Sequence, residues 1–137
     1  MNSSNTNDRP QADSPDLSGV RVLVVEDSWQ LGVAMRSLLQ SYGADVSGPV
    51  ATAADADRLC AERAPDVALV DFNLRGGELA HALIDRLHGR GIHVIVTSGY
   101  AAPPVSLDKV ATVLQKPISE ARLLESMRPV AARKMPQ

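Results

Sequence analysis

Four short apolar runs, at 20–25, 67–70, 92–97 and 111–114, are spread along the chain, and between them apolar residues recur at helical spacing. Runs this short and rich in β-branched residues read as strands covered on both faces. A weaker run at 44–47 makes a fifth strand. Leu31, Ala34, Met35, Leu38, Leu39 and Tyr42 mark a first helix, with Asp27 or Ser28 as its cap and Gly43 at its end. Thr52 caps a second helix with Ala56, Leu59 and Cys60 inward. A third follows Gly76-Gly77, carries Leu79, Leu83, Ile84 and Leu87, and stops at Gly89 or Gly91. Ser119 caps a last helix that turns Leu123, Leu124 and Met127 to the sheet. Strands alternating with helices imply an α/β fold: a five-stranded parallel sheet, right-handed crossovers and helices on both faces.

The connection over 98–116 breaks the alternation. Pro103 and Pro104 disfavour helix up to that point. The residues left before the fifth strand allow one or two turns, so the fourth helix is expected to be short or irregular, or the segment mostly loop.

With 137 residues, 45% of them apolar, the chain is long enough for one domain with a real core. A flexible polar tail is expected over 1–18, the domain over 19–132 and a short tail over 133–137. A net charge of −2 leaves no electrostatic footprint for nucleic acid or an anionic membrane surface. The single Cys60 cannot form an intrachain disulfide, fits a reducing compartment, and reads as a small core residue. No apolar run approaches the ~20 residues needed to span a bilayer, and no secretory signal opens the chain. A cytoplasmic location is the expectation. G-x-S-x-G, P-loop and G-x-G-x-x-G motifs are missing, so acyl transfer, NTP hydrolysis and dinucleotide binding have no support. His81, His88 and His93 lack ligand spacing and read as surface or boundary residues.

The strand ends carry the chemistry. Glu26 and Asp27 end the first strand, Asp71 ends the third, and Lys116 follows the fifth. In a parallel sheet these positions converge on the carboxyl edge, where ligands of open α/β sheets bind. Three clustered acids repel: at ~4 Å and an effective dielectric near 20, each pair costs roughly 4 kcal/mol. A hard divalent cation relieves that cost, and Mg²⁺ suits carboxylates together with water and phosphate oxygens. Read singly, Asp71 is a turn residue, Asp27 a helix cap and Lys116 a solvated lysine. Trp29, just past the acidic pair, is placed either near the pocket rim or as a half-buried helix residue.

With those residues in register, the globular part resembles a receiver domain of a two-component response regulator. The resemblance implies the flavodoxin-like strand order 2-1-3-4-5. It implies that Asp71 accepts a phosphoryl group from a histidine kinase, and that Glu26, Asp27, Asp71 and the backbone carbonyl of Asn73 hold Mg²⁺. Lys116 then pairs with Asp71 and later with the phosphoryl group, and Pro117 is a cis-proline. Ser98, followed by the small Gly99, is the switch hydroxyl, with the adjacent Thr97 as its competitor. Asn73 and Tyr100 stand where phosphoryl lifetime is tuned. Val113 occupies the place of the usual switch aromatic, so hydroxyl–aromatic coupling is not expected in its ordinary form. The stretches Asp71-Phe72-Asn73-Leu74-Arg75-Gly76-Gly77-Glu78, Ser98-Gly99-Tyr100 and Val113-Leu114-Gln115-Lys116-Pro117 are similar to a stand-alone receiver subgroup. That subgroup has a reduced fourth helix and partners histidine kinases of the HWE or a related class.

The implied function is a single-domain response regulator, a signalling domain rather than a turnover enzyme, acting through a partner protein. A phosphorelay intermediate or phosphate sink, exchanging with a phosphotransfer protein, is the alternative. A phosphorylation-independent binding module is a third possibility. A small phosphatase fits poorly, because Asn73 stands where such an enzyme would carry its second acid.

Overall fold

The computed structural model describes residues 14–100, 103–106 and 108–134. Five strands form one sheet in the order β2-β1-β3-β4-β5: β1 (Arg21–Val25), β2 (Asp45–Val50), β3 (Val67–Asp71), β4 (His93–Ser98) and β5 (Thr112–Gln115). Every neighbouring pair is parallel. The crossovers carry α1 (Trp29–Ser41), α2 (Ala53–Glu62) and α3 (His81–Gly89), and α4 (Glu120–Ser126) and α5 (Arg128–Lys134) follow β5. This is the doubly wound order expected above.

Side-chain alternation along the strands divides the core in two. Leu23, Val25, Ala68, Val70, Val94 and Val96 pack with α2 and α3 through Ala56, Cys60, Leu83, Ile84 and Leu87. Val22, Val24, Val67, Leu69, Ile95 and Leu114 pack on the other face with Met35, Leu39, Leu123, Met127 and Val130. Cys60 is thus a core residue, and burial pushes its thiol pKa up. Of the polar stretch at the start of the chain, residues 14–18 are described. Leu17 among them is fully buried, and its N–H donates to the Tyr42 carbonyl at 2.8 Å. The rest of that stretch and the end of the C-terminal tail lie outside the described residues.

Three details differ from the sequence reading. β2 runs to Val50 instead of stopping at residue 47. Gly48 and Pro49 are absorbed as a bulge on an edge strand, where the register shifts between Leu23 and Val25. Only glycine suits position 48: φ is +92°, and a Cβ would lie 2.4 Å from the Val24 carbonyl oxygen. The third helix begins at His81, leaving Leu79 outside it and exposed. A 3-10 turn over Arg75–Gly77 and a bridge between Asn73 and Leu79 use those residues to close the β3–α3 loop. The last helix is two, divided at Met127, because the Pro129 ring cannot follow the Glu125 carbonyl in one continuous helix. Between β4 and β5 the described residues hold no helix. That strap is tied to α3 by Lys109 Nζ on Asp85 at 2.8 Å and by His81 Nε2 against the Pro104 carbonyl at 2.8 Å.

Candidate functional site

Counting by twos explains which side chains meet. Beyond Val24, Leu69 and Leu114, which share one face of the sheet, the next positions of the same parity are Glu26, Asp71 and Lys116. They do converge. Lys116 Nζ lies 3.1 Å from Asp71 Oδ2 and 3.2 and 3.3 Å from the two Glu26 oxygens. Glu26 is 2% exposed and Asp71 5% exposed. The ammonium therefore sits between two buried carboxylates and offsets their mutual repulsion.

Backbone donors complete the two acids. The Ser28 N–H donates to Glu26 Oε2 at 2.9 Å, and the Asn73 N–H donates to Asp71 Oδ1 at 3.1 Å. Glu26 Oε1 is buried and receives no hydrogen bond, although the ammonium is near. Burial, reinforced by the Asp71 charge, pushes the Glu26 carboxyl above its ordinary 4.5 despite the Ser28 N–H and Lys116, which act the other way.

The backbone around Glu26 is held by the β2 bulge. The Glu26 N–H donates to the Val50 carbonyl at 2.8 Å, and Arg36 reaches the Gly48 carbonyl at 2.9 Å. Gly32 lets α1 approach Pro49, since a Cβ there would lie 2.5 Å from the proline Cβ.

Asp27, one residue on, has the opposite parity and does not join the others. Its Oδ1 pairs instead with Arg75 Nε at 3.3 Å, at the opening of the β3–α3 loop. Ser28, not Asp27, caps α1, its Oγ accepting from the Leu31 N–H. The adjacent hydroxyls also separate. Thr97 is the register partner of Asp71, and its buried Oγ1 has no hydrogen-bond partner. Ser98 lies one step further along β4, its Oγ accepting from the Tyr100 N–H at 2.9 Å and its carbonyl accepting from the Lys116 N–H at 2.7 Å. The Lys116–Pro117 peptide is cis. Val113 is half-buried against the α2–α3 side of the core. Trp29, Leu79 and Tyr100, the exposed large apolar side chains of the described residues, all sit in or beside loops at this same edge.

Two residues escaped the sequence reading. Arg75 was one basic residue of a loop, and nothing in its spacing announced Asp27 as its partner. Gly48 carried a readable signal, a Gly-Pro pair in a weak strand, but its closeness to Val24 is a long-range fact.

The donor set suits a hard divalent cation in chemistry: buried carboxylate oxygens, one of them without a hydrogen bond. Among the described residues, however, no three acidic, histidine or cysteine side chains stand together as a ready metal cage. Asp27 is paired with Arg75 instead.

An open parallel sheet with acids and a lysine at its carboxyl edge defines the class: a flavodoxin-like α/β protein whose candidate site lies at the switch point between β1 and β3. Within that class, the fold is the receiver-domain fold of response regulators. The receiver domain of the response regulator PhyR from Erythrobacter litoralis aligns with 88% of this chain and 96% of its own, at 22% identity and a TM-score of 0.71. A CheY-like receiver domain from Methanospirillum hungatei aligns over 83% and 94%, at 23% identity and a TM-score of 0.75. The signal receiver domain of a modulated diguanylate cyclase from Desulfovibrio desulfuricans aligns over 89% and 97%, at 26% identity and a TM-score of 0.70. No protein-family model and no curated protein matches the chain. No helix among the described residues is long and apolar enough to cross a membrane.

Proposed function

We propose that this chain is a cytoplasmic response-regulator receiver that takes a phosphoryl group from a sensor histidine kinase onto Asp71. The observation that carries the reading is the Glu26–Lys116–Asp71 bridge at the carboxyl edge of a receiver fold. An Asp71 oxygen attacks phosphorus in line with the leaving nitrogen of a phosphohistidine. The P–N bond breaks, the imidazole keeps its electron pair and takes a proton from solvent, and an acyl phosphate forms on Asp71.

Lys116, already within reach of Asp71, transfers its ion pair to a phosphoryl oxygen as charge builds there. Glu26, Asp27, Asp71 and the Asn73 carbonyl are the groups that would hold Mg²⁺, which would supply neutralising charge to the phosphoryl oxygens. Ser98 is the hydroxyl assigned to the phosphoryl group. Thr97 is its rival because it pairs in register with Asp71 and its hydroxyl is uncommitted. Asn73 and Tyr100 stand at the entrance and tune lifetime. The added phosphoryl charge, about −2, shifts Lys116 and the hydroxyl, and so the strap between β4 and β5, toward a state that a partner protein reads. With Val113 half-buried in the core, that strap takes the part of an aromatic switch. The domain turns over no external substrate.

Incubation with acetyl phosphate and Mg²⁺ tests the reading. Intact mass should rise by one phosphoryl group in the wild type and stay unchanged in Asp71→Asn. A gain that persists in Asp71→Asn, or no gain in the wild type, would remove Asp71 as the acceptor. Ser98→Ala and Thr97→Ala, compared for labelling rate, decide between the hydroxyls.

A further inference from the structure

We propose that Arg75 is a built-in competitor of the divalent cation, so that cation binding at this edge is an exchange at Asp27 and not a simple addition. The cation itself rests on the reading above; the competition rests on geometry. Three acids lie within two strand ends, yet each already has an internal positive partner. Lys116 serves Glu26 and Asp71, and Arg75 serves Asp27. The third carboxylate does not stand with the other two in a group that could hold a cation, while a buried Glu26 oxygen, beside the Lys116 ammonium, stays without a hydrogen bond.

The two halves of the arrangement differ in strength. Arg75 is well placed at its backbone. Its N–H donates to the Ala51 carbonyl at 3.1 Å, and it opens the turn in which Gly76 and Gly77 both have positive φ. Its side chain is held far more loosely. The contact is a single Nε–Oδ1 approach of 3.3 Å, without the two-pronged geometry that makes arginine–carboxylate pairs strong. The side chains are 66% and 48% exposed, so water and salt weaken the pair. Such a latch holds Asp27 out in the absence of cation and yields to a hard divalent ion that offers it direct oxygen coordination.

Titration calorimetry of Mg²⁺ into the full chain tests this, with three variants. Arg75→Gln removes the competitor. Arg86→Gln removes the same charge from the Arg86–Asp57 pair, near the end of α3 at the opposite edge of the sheet. Asp27→Asn removes the contested carboxylate. At low salt, Arg75→Gln should bind Mg²⁺ about two- to fivefold more tightly than the wild type, the scale of an exposed ion pair, and the gap should narrow at high salt. Arg86→Gln should match the wild type, and Asp27→Asn should bind more weakly. Equal affinity for the wild type and Arg75→Gln would overturn the competition and leave the metal reading standing. So would equal tightening in Arg86→Gln, which would be a net-charge effect, or undiminished binding in Asp27→Asn. No binding heat from any of the four folded proteins would instead remove the metal reading itself, and the competition with it.

Discussion

Two ion-pair systems lie side by side at the carboxyl edge and behave as opposites. Lys116 bridges two carboxylates that are almost wholly buried, whereas Arg75 meets Asp27 in the open. Coulomb's law is the same in both; the surroundings are not. In the first, each charge has given up most of its water, so the three groups depend on one another. Removing one strands the rest. In the second, water already solvates both partners, and separating them costs little. The contrast teaches which part of the site is scaffold and which part is free to exchange.

The sharpest way to break that contrast is to delete the two cations in turn. Lys116→Met should cost roughly 3 kcal/mol of unfolding free energy at neutral pH, because two buried carboxylates lose their counter-charge. Arg75→Gln should cost under about 1 kcal/mol. Urea denaturation of both variants compares them directly, and similar losses would erase the distinction. The Lys116→Met loss should also shrink in acid as Glu26, whose pKa is raised by burial, takes up its proton.

Next in size is Gly48→Ala, which attacks the support of the buried half from outside. A methyl group at φ +92° would press on the Val24 carbonyl and disturb the bulge that presents Val50 to the Glu26 N–H. A loss of about 1–3 kcal/mol is expected from the strained backbone. A neutral result would mean that the bulge can rearrange freely.

A smaller effect follows from Glu26. Its folded pKa is raised above 4.5, chiefly by burial, so the folded chain holds its proton more tightly than the unfolded chain does. Its contribution to stability is therefore fullest below about 4.5 and is lost as pH rises through the folded value. Glu26→Gln has no such proton to lose. The stability of Glu26→Gln relative to the wild type should accordingly improve from acid toward neutral pH, and a flat difference would mean that the carboxyl is not perturbed. Smallest of all, Trp29 is 64% exposed and two residues from Asp27. Mg²⁺ should change its emission modestly as Asp27 leaves Arg75, and a flat titration in protein that binds the ion would mean that Trp29 does not sense the exchange.

Much of this was legible in the chain because it depends on local patterns. The strand runs, the caps at Ser28, Thr52 and Ser119, and the stop at Gly43 are read within a few residues of each other. Parity along three strands is equally local, and it places Glu26, Asp71 and Lys116 on one face. The exceptions share a physical origin. Leu79 matched the helical period of its neighbours, but pairing of Asn73 with Leu79 across the loop won over that pattern. Pro129 outweighed the continuity of the last helix.

The sequence alone determined that acids and a lysine would stand at successive strand ends, since that follows from where each apolar run stops. Only the tertiary structure decided how their charges are shared. Whether Asp27 faces its two fellow acids or Arg75, and whether β2 can continue past Gly48 to hold Glu26, depends on groups many residues apart, and electrostatic and steric energies are set by distance in space rather than along the chain.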